Sequence, residues 1–175
     1  MNRAFNSGEK FRELLRSKDF LVLAGAHSGL SAKIAERSGF DGIWASSFEM
    51  SALFGLPDSN ILSFKDTYDL VKGMLYVTDI PVIVDCDNGY GNAVNVIRTV
   101  REYDSLGVAG ICIEDNTFPK KCSFYNSKKR ELESSKDFSN KISAAKDAQI
   151  DKSFFVIART ESFIAGLGLE EALSR

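Results

Sequence analysis

Three carboxylates at the ends of two apolar runs are the residues of this chain best placed to do chemistry. Val82-Ile83-Val84 leads into Asp85-Cys86-Asp87 and the turn Asn88-Gly89-Tyr90-Gly91-Asn92, while Gly110-Ile111-Cys112-Ile113 leads into Glu114-Asp115. On an extended strand, residues two apart share a face, which puts Asp85 and Asp87 together. Acids gathered where buried strands stop are costly unless a positive charge sits among them. Hard oxygen donors point to Mg²⁺ before Zn²⁺. Asp85 is the expected direct ligand. Asp87 and Glu114 would act largely through ordered waters, because Mg²⁺ keeps part of its hydration shell. The competing reading makes each acid a helix N-cap after a strand, a role aspartate fills well.

Arg159 closes the apolar run Phe154-Phe155-Val156-Ile157-Ala158. Its forked donors suit a phosphate, phosphonate or carboxylate, and an ion pair with Glu161 on the same face is the alternative. Cys122 follows Lys120-Lys121, and adjacent cations prepare a thiol for acid–base work; a spectator loop thiol is the other reading. Cys86 alternates away from its flanking acids and Cys112 sits between isoleucines, so both read as packing residues. Gly89-Tyr90-Gly91-Asn92 lacks the third glycine of a dinucleotide fingerprint, Val94 standing there instead, which leaves a tight βα turn. His27, the one histidine, reads as a hydrogen-bonded structural residue, so a Ser-His-Asp or Cys-His triad finds little support.

The elements that must carry these groups alternate between helical and strand periods. Glu9 to Arg16 reads as a short amphipathic helix, followed by a strand at Phe20 to Ala24. Ser28 can cap a helix through Ser31 to Ser38, with Gly39 at its end. A strand at Asp41 to Ala45, a helix at Ser47 to Phe54 and a turn-rich loop at Gly55 to Asn60 come next. Ser63 opens a helix that runs to Val77. A strand at Pro81 to Asp85 precedes a helix from Ala93 to Leu106 with Gly107 as its C-cap. The strand at Gly110 to Ile113 is followed by a basic stretch, Asp115 to Leu132, without sustained period, and long loops of this kind are commonly functional. Ser134 or Ser135 caps a helix to Ala148, Ser153 to Ala158 forms a fifth strand, and Gly168 to Arg175 starts a last helix.

Near-continuous apolar strands, each followed by a helix, imply a parallel sheet covered on both faces. A doubly wound sheet and a (β/α)₈ barrel both fit that description. Charged residues at four successive strand ends favour the barrel, whose βα loops converge on one site. Such a barrel needs about 250 residues. The 175 residues here supply about its first five βα units, so residues 1–175 read as a single, incomplete barrel domain.

The bulk composition is that of an ordinary globular protein, 44% apolar and 26% charged. A net charge of −2 with interspersed signs gives no electrostatic case for nucleic acid or an anionic membrane. The first residues lead into a charged helix and not an apolar signal segment, and no run is long enough to span a bilayer. Three cysteines at unrelated spacings argue for a reducing, cytoplasmic setting.

Several motifs in order resemble the phosphoenolpyruvate mutase/isocitrate lyase superfamily, and its mutase branch in particular. They are Ala24-Gly25-Ala26-His27-Ser28-Gly29, Gly42-Ile43-Trp44-Ala45-Ser46-Ser47, Asp58-Ser59-Asn60, Asp85 to Asn92, Glu114 to Lys120, and Ile157-Ala158-Arg159-Thr160-Glu161-Ser162. The resemblance implies a (β/α)₈ barrel working with Mg²⁺ on phosphoenolpyruvate, phosphonopyruvate or a related keto or hydroxy acid. It implies Asp85 as metal ligand with Asp87 and Glu114 as water-bridged partners. Trp44, Ser46 and Ser47 would hold the substrate carboxylate, and Arg159 its anionic groups. Asp58 would stand near the migrating phosphoryl group. Lys120 to Phe124 would form a gating loop, with Lys120 and Cys122 catalytic and Ser123 binding substrate. A homo-tetramer is expected of the full-length relatives. Cys122 stands where mutases have Asn, and Lys120-Lys121-Cys122 is similar to the lyase motif, in which the cysteine is a proton donor. The Gly-His that follows in lyases is replaced by Ser123-Phe124. Expected activities are therefore a phosphoenolpyruvate mutase, a phosphonopyruvate hydrolase, or a lyase of 2-hydroxy di- or tricarboxylates using Cys122 as acid. An inactive barrel fragment is the non-enzymatic alternative.

Overall fold

The computed structural model describes residues 7–123 and 130–175. Its elements follow in the order α1 (Ser7–Ser17), β1 (Leu23–Ala26), α2 (Gly29–Arg37), β2 (Gly42–Ala45), α3 (Ser47–Leu53), α4 (Phe64–Val77), β3 (Val82–Asp85), α5 (Ala93–Leu106), β4 (Gly110–Glu114), α6 (Ser135–Asp147), β5 (Phe155–Arg159) and α7 (Gly168–Ser174). The strands pair in chain order, β1-β2-β3-β4-β5, every pair parallel. This order, with a helix after each strand, builds a curved βα layer whose strand ends all open toward one face.

Local signals explain most boundaries. Ser28 and Ser63 each accept the N3 amide and complete a capping box, with Ser31 and Asp66 returning the bond. Ser134 caps α6 by accepting from the Asp137 amide. Gly107 ends α5 at φ 93°, a left-handed conformation that glycine adopts without penalty. The β3 strand is buried at every position, as is β4, which is why these runs lack polar alternation.

Two strand starts differ from expectation by two residues or more. The first strand begins at Leu23, not Phe20. The Asp41 carboxylate accepts the Val22 amide and pairs with Lys18, so Phe20 to Val22 form a fastened connector with Phe20 exposed. The fifth strand begins at Phe155, because Asp151 accepts the Ser153 amide and hydroxyl and holds that segment in a turn.

The core lies between the sheet and helices α2, α4, α5 and α6, built from Ile43, Val71, Met74, Val82, Val84, Val100, Ile111 and Ile113 among others. Burying a Val, Leu or Ile side chain of this kind contributes about 1.5–3 kcal/mol. Cys86 and Cys112 are buried, and burial first, then the nearby acids, pushes both thiols up. The Thr67 hydroxyl meets those of Tyr90 and Tyr103, at 3.0 and 3.2 Å, tying α4 and α5 to the turn after β3. Among the described residues no helix is long and apolar enough to cross a membrane.

Candidate active site

The site forms where the strands end. β2 stops at Ala45 and α3 starts at Ser47, with Ser46 as its N-cap, accepting the Glu49 amide. This places both serines at the mouth. β3 delivers Asp85 as its last residue, β4 delivers Glu114 and β5 delivers Arg159, with Glu114 and Arg159 opposite one another in register. All but one of the expected metal, substrate-binding and catalytic residues line one cavity of about 300 Å³: Trp44, Ser46, Ser47, Asp58, Asp85, Glu114, Lys120, Cys122, Ser123 and Arg159. Phe48 and Ile164, which sequence reasoning did not single out, complete its wall with Lys121 of the expected gating loop. A smaller cavity of about 170 Å³ lies by Gly107 and Phe154, at the opposite ends of the strands, away from these side chains.

The exception is Asp87. Strand β3 ends before it and Asp87 has φ 51°, so the two-residue strand period does not set its direction. Its amide donates to Asp85 Oδ1 at 3.2 Å, and its carboxylate lies behind the cavity wall, paired with Lys120. Lys120 is buried, and its Nζ lies 2.5 Å from Asp87 Oδ1, 2.7 Å from Asp58 Oδ1 and 3.1 Å from Ser47 Oγ. Ser47 in turn donates to Asp85 Oδ2 at 3.0 Å. The pattern of acids pointed to a metal ion as the positive charge among them, and Lys120 entered only as a catalytic residue implied by the resemblance. The protein also brings its own ammonium, from the loop after β4, and a loop without period gives no signal for where its side chains land.

The other cation is Arg159. It bonds Glu161 through Nε at 2.7 Å and a terminal nitrogen at 2.6 Å, while its second terminal nitrogen lies 3.6 Å from Glu114. The expected Arg159–Glu161 pair is therefore present, and the guanidinium still lines the cavity. The Ser123 hydroxyl donates to Glu161 at 3.4 Å, and Arg130 donates to the carbonyls of Lys121 and Cys122, which holds the start of this loop against β5. Phe124, the last residue of the expected gating loop, lies outside the described residues. His27 Nδ1 lies 3.7 Å from the Glu49 carboxylate, beyond hydrogen-bond distance, and both side chains are partly exposed.

Electrostatics mark the site as crowded with negative charge. Burial first, then the Asp85 charge, pushes the Glu114 carboxyl up to about 7. Burial also raises Asp87, to about 6; Lys120 opposes this and Asp85 adds to it. Lys120 is held above the usual lysine range because Asp87, Asp85 and Asp58 outweigh its own desolvation. Among the described residues no three histidine, cysteine or acidic side chains gather tightly enough to enclose an ion unaided. Perturbed carboxyls beside a cleft with two cations suit a reaction that moves an anionic group.

The comparisons with known proteins agree with this architecture. A phosphoenolpyruvate phosphomutase from Streptomyces platensis subsp. rosaceus superposes with a TM-score of 0.93 at 47% identity, covering 95% of this chain and 58% of that one. A phosphonopyruvate hydrolase solved with oxalate and Mg²⁺ superposes with a TM-score of 0.87 at 42% identity, covering 96% of this chain and 57% of that one. The 2,3-dimethylmalate lyase of Eubacterium barkeri is 40% identical over 171 residues, 97% of this chain and 58% of its own length. The chain spans a little over half the length of the curated relatives it matches. The five βα units are thus those of a TIM-type barrel, in a superfamily of mutases, hydrolases and lyases. A family model described as phosphoenolpyruvate phosphomutase matches residues 11–175, and with it the chain belongs to the phosphoenolpyruvate phosphomutase family, within the phosphoenolpyruvate mutase/isocitrate lyase superfamily.

Proposed function

We propose that this barrel domain is part of a Mg²⁺-dependent enzyme that interconverts phosphoenolpyruvate and phosphonopyruvate. The observation that carries this reading is the convergence of Lys120 and Arg159 on one cavity otherwise walled by Asp58, Asp85 and Glu114. A phosphoryl group in transfer has little covalent bonding to either side, so positioning and charge neutralisation matter more than a strong base.

The residues present suit Mg²⁺. Four carboxylates, Asp58, Asp85, Asp87 and Glu114, crowd around Lys120 and Arg159, and burial first, then the neighbouring Asp85 charge, raises two of them. Mg²⁺ binds through one or two carboxylates and keeps its waters, so it needs no tight cluster of acids. Asp85 would hold it directly, with Asp87 and Glu114 reached through water. When bound, the ion supplies polarisation of the substrate oxygens and neutralises their charge.

In the forward direction the phosphorus–oxygen bond of phosphoenolpyruvate breaks and carbon 3 of the resulting enolate takes the phosphoryl group, with no net gain or loss of atoms. Trp44, Ser46 and Ser47 hold the carboxylate end at the start of α3. Arg159, oriented by Glu161, and Lys120, oriented by Asp58 and Asp87, balance the charge on the migrating group. Asp58 stands in the same wall near the migrating group, with its Oδ1 paired to Lys120. Loop residues Cys122 and Ser123 cover the reacting centre and limit the entry of water.

A second reading is favoured by Cys122, whose thiol is buried in the cavity wall as a lyase acid would need. Phosphorus NMR of phosphonopyruvate incubated with Mg²⁺ and the protein separates the outcomes. Phosphoenolpyruvate is expected. Phosphate with pyruvate would mean hydrolysis. No change, together with cleavage of a 2-hydroxy dicarboxylate, would transfer the assignment to the lyase reading.

A further inference from the structure

Asn60 sits in the loop between α3 and α4 and closes a ring of hydrogen bonds with the two residues at the centre of the site. Its Oδ1 accepts the backbone N–H of Lys120 at 2.6 Å, and its Nδ2 donates to Asp87 Oδ2 at 3.0 Å. The other Asp87 oxygen takes the Lys120 ammonium at 2.5 Å, which completes the circuit. A third bond runs from Asn88 Nδ2 to Asn60 Oδ1 at 3.3 Å. The backbone amide of Lys120 can only donate and the Asp87 carboxylate can only accept, so both ends of the Asn60 amide are assigned by their partners.

We propose that Asn60 is a positioning residue, which fastens the start of the β4–α6 connection to the carboxylates after β3 and so aims the Lys120 ammonium. Asn60 is absent from the cavity wall, so it acts through Lys120 and Asp87 and not on substrate. The amide offers an acceptor to one neighbour and a donor to the other from two separate atoms; Asp at this position would set a second carboxylate against Asp87. Its φ of 56° is a left-handed conformation that Asn tolerates better than most residues, and Leu62, buried two positions on, holds the loop in place. The kinetic consequence rests on the function proposed above; the anchoring itself does not.

The experiment compares Asn60→Gly, which keeps the left-handed backbone, and Asn60→Asp, which keeps the shape, with the parent protein. Two measurements are made: the rate at which iodoacetamide alkylates Cys122, with Cys122→Ser as background, and kcat and KM for phosphonopyruvate with Mg²⁺. Loss of the anchor is expected to speed Cys122 alkylation about tenfold in both variants. It is also expected to lower kcat by about ten- to a hundredfold while KM moves less than about threefold, as for a displaced catalytic group. Alkylation and kcat both within twofold of the parent, whatever happens to melting temperature, would overturn the proposal. A parent protein inert toward phosphonopyruvate would defeat the assigned reaction instead, and the alkylation rates would still decide the role of Asn60.

Discussion

Lys120 and Asp87 are 33 positions apart in the chain and meet at 2.5 Å, both buried, with Asp58 completing the triad at 2.7 Å. A buried charge stripped of its partner is strongly destabilising, by about 3–5 kcal/mol. Lys120→Met is accordingly expected to lose stability of that order at pH 8 in urea denaturation, and to lose activity. At pH 5 the loss shrinks, because Asp87, raised to about 6, is protonated there. Lys120 itself stays charged across this range, since its folded value is raised. An equal loss at both pH values would contradict this account.

The raised acids set a sign for pH dependence. Glu114 at about 7 and Asp87 at about 6 bind protons in the folded state that the unfolded chain has already released. Stability of the protein in chelator therefore falls as pH rises from about 4 toward 7 through these two groups. Mg²⁺ is expected to reverse the trend, raising the melting temperature more at pH 8 than at pH 5.5 in differential scanning calorimetry. A Mg²⁺ effect that is absent at both pH values would count against the proposed metal.

Arg159 bonds Glu161 through two nitrogens and faces Glu114 with the third. Lysine cannot reproduce that fork. Arg159→Lys should raise KM for phosphonopyruvate by about tenfold or more, with little change in melting temperature, as one or two charge-assisted hydrogen bonds are lost. Steady-state kinetics beside a thermal melt checks both halves.

Cys122 discriminates between chemistries. Under the phosphoryl-transfer reading, Cys122→Ser keeps phosphonopyruvate turnover within about threefold, since the thiol only covers the site. Under the lyase reading the same change removes the proton donor and abolishes cleavage of 2-hydroxy acids, a loss of about a hundredfold or more. Assaying both substrates on one preparation distinguishes them.

Local rules made much of the scaffold readable. Ser28, Ser63 and Ser134 cap helices through contacts three residues long, and Gly107 ends one through its own φ, so these signals lie within a single turn. The unbroken burial of β3 and β4 was likewise written in their composition. Phe20 to Val22 were apolar enough for a strand, yet Asp41, some twenty residues away, overrides that preference. The acids could be named because each directly ends or follows a strand. Lys120 was named only through the family resemblance, and its pairing with the acids was not legible, because it arrives from a loop and meets two carboxylates distant in sequence. Asn60 was visible as part of a motif, but its bond to a main-chain amide 60 positions on leaves no trace in side-chain type.

Asn60, Asp87 and Tyr90 are the described non-glycine residues with positive φ, and the first two belong to the bond circuit that holds Lys120. That circuit is thus held in conformations that side chains ordinarily avoid, and the surrounding fold supplies the restraint. A laboratory selection for heat resistance alone would be drawn to these positions, where glycine relaxes the backbone, and each gain would blunt the very groups that turnover requires.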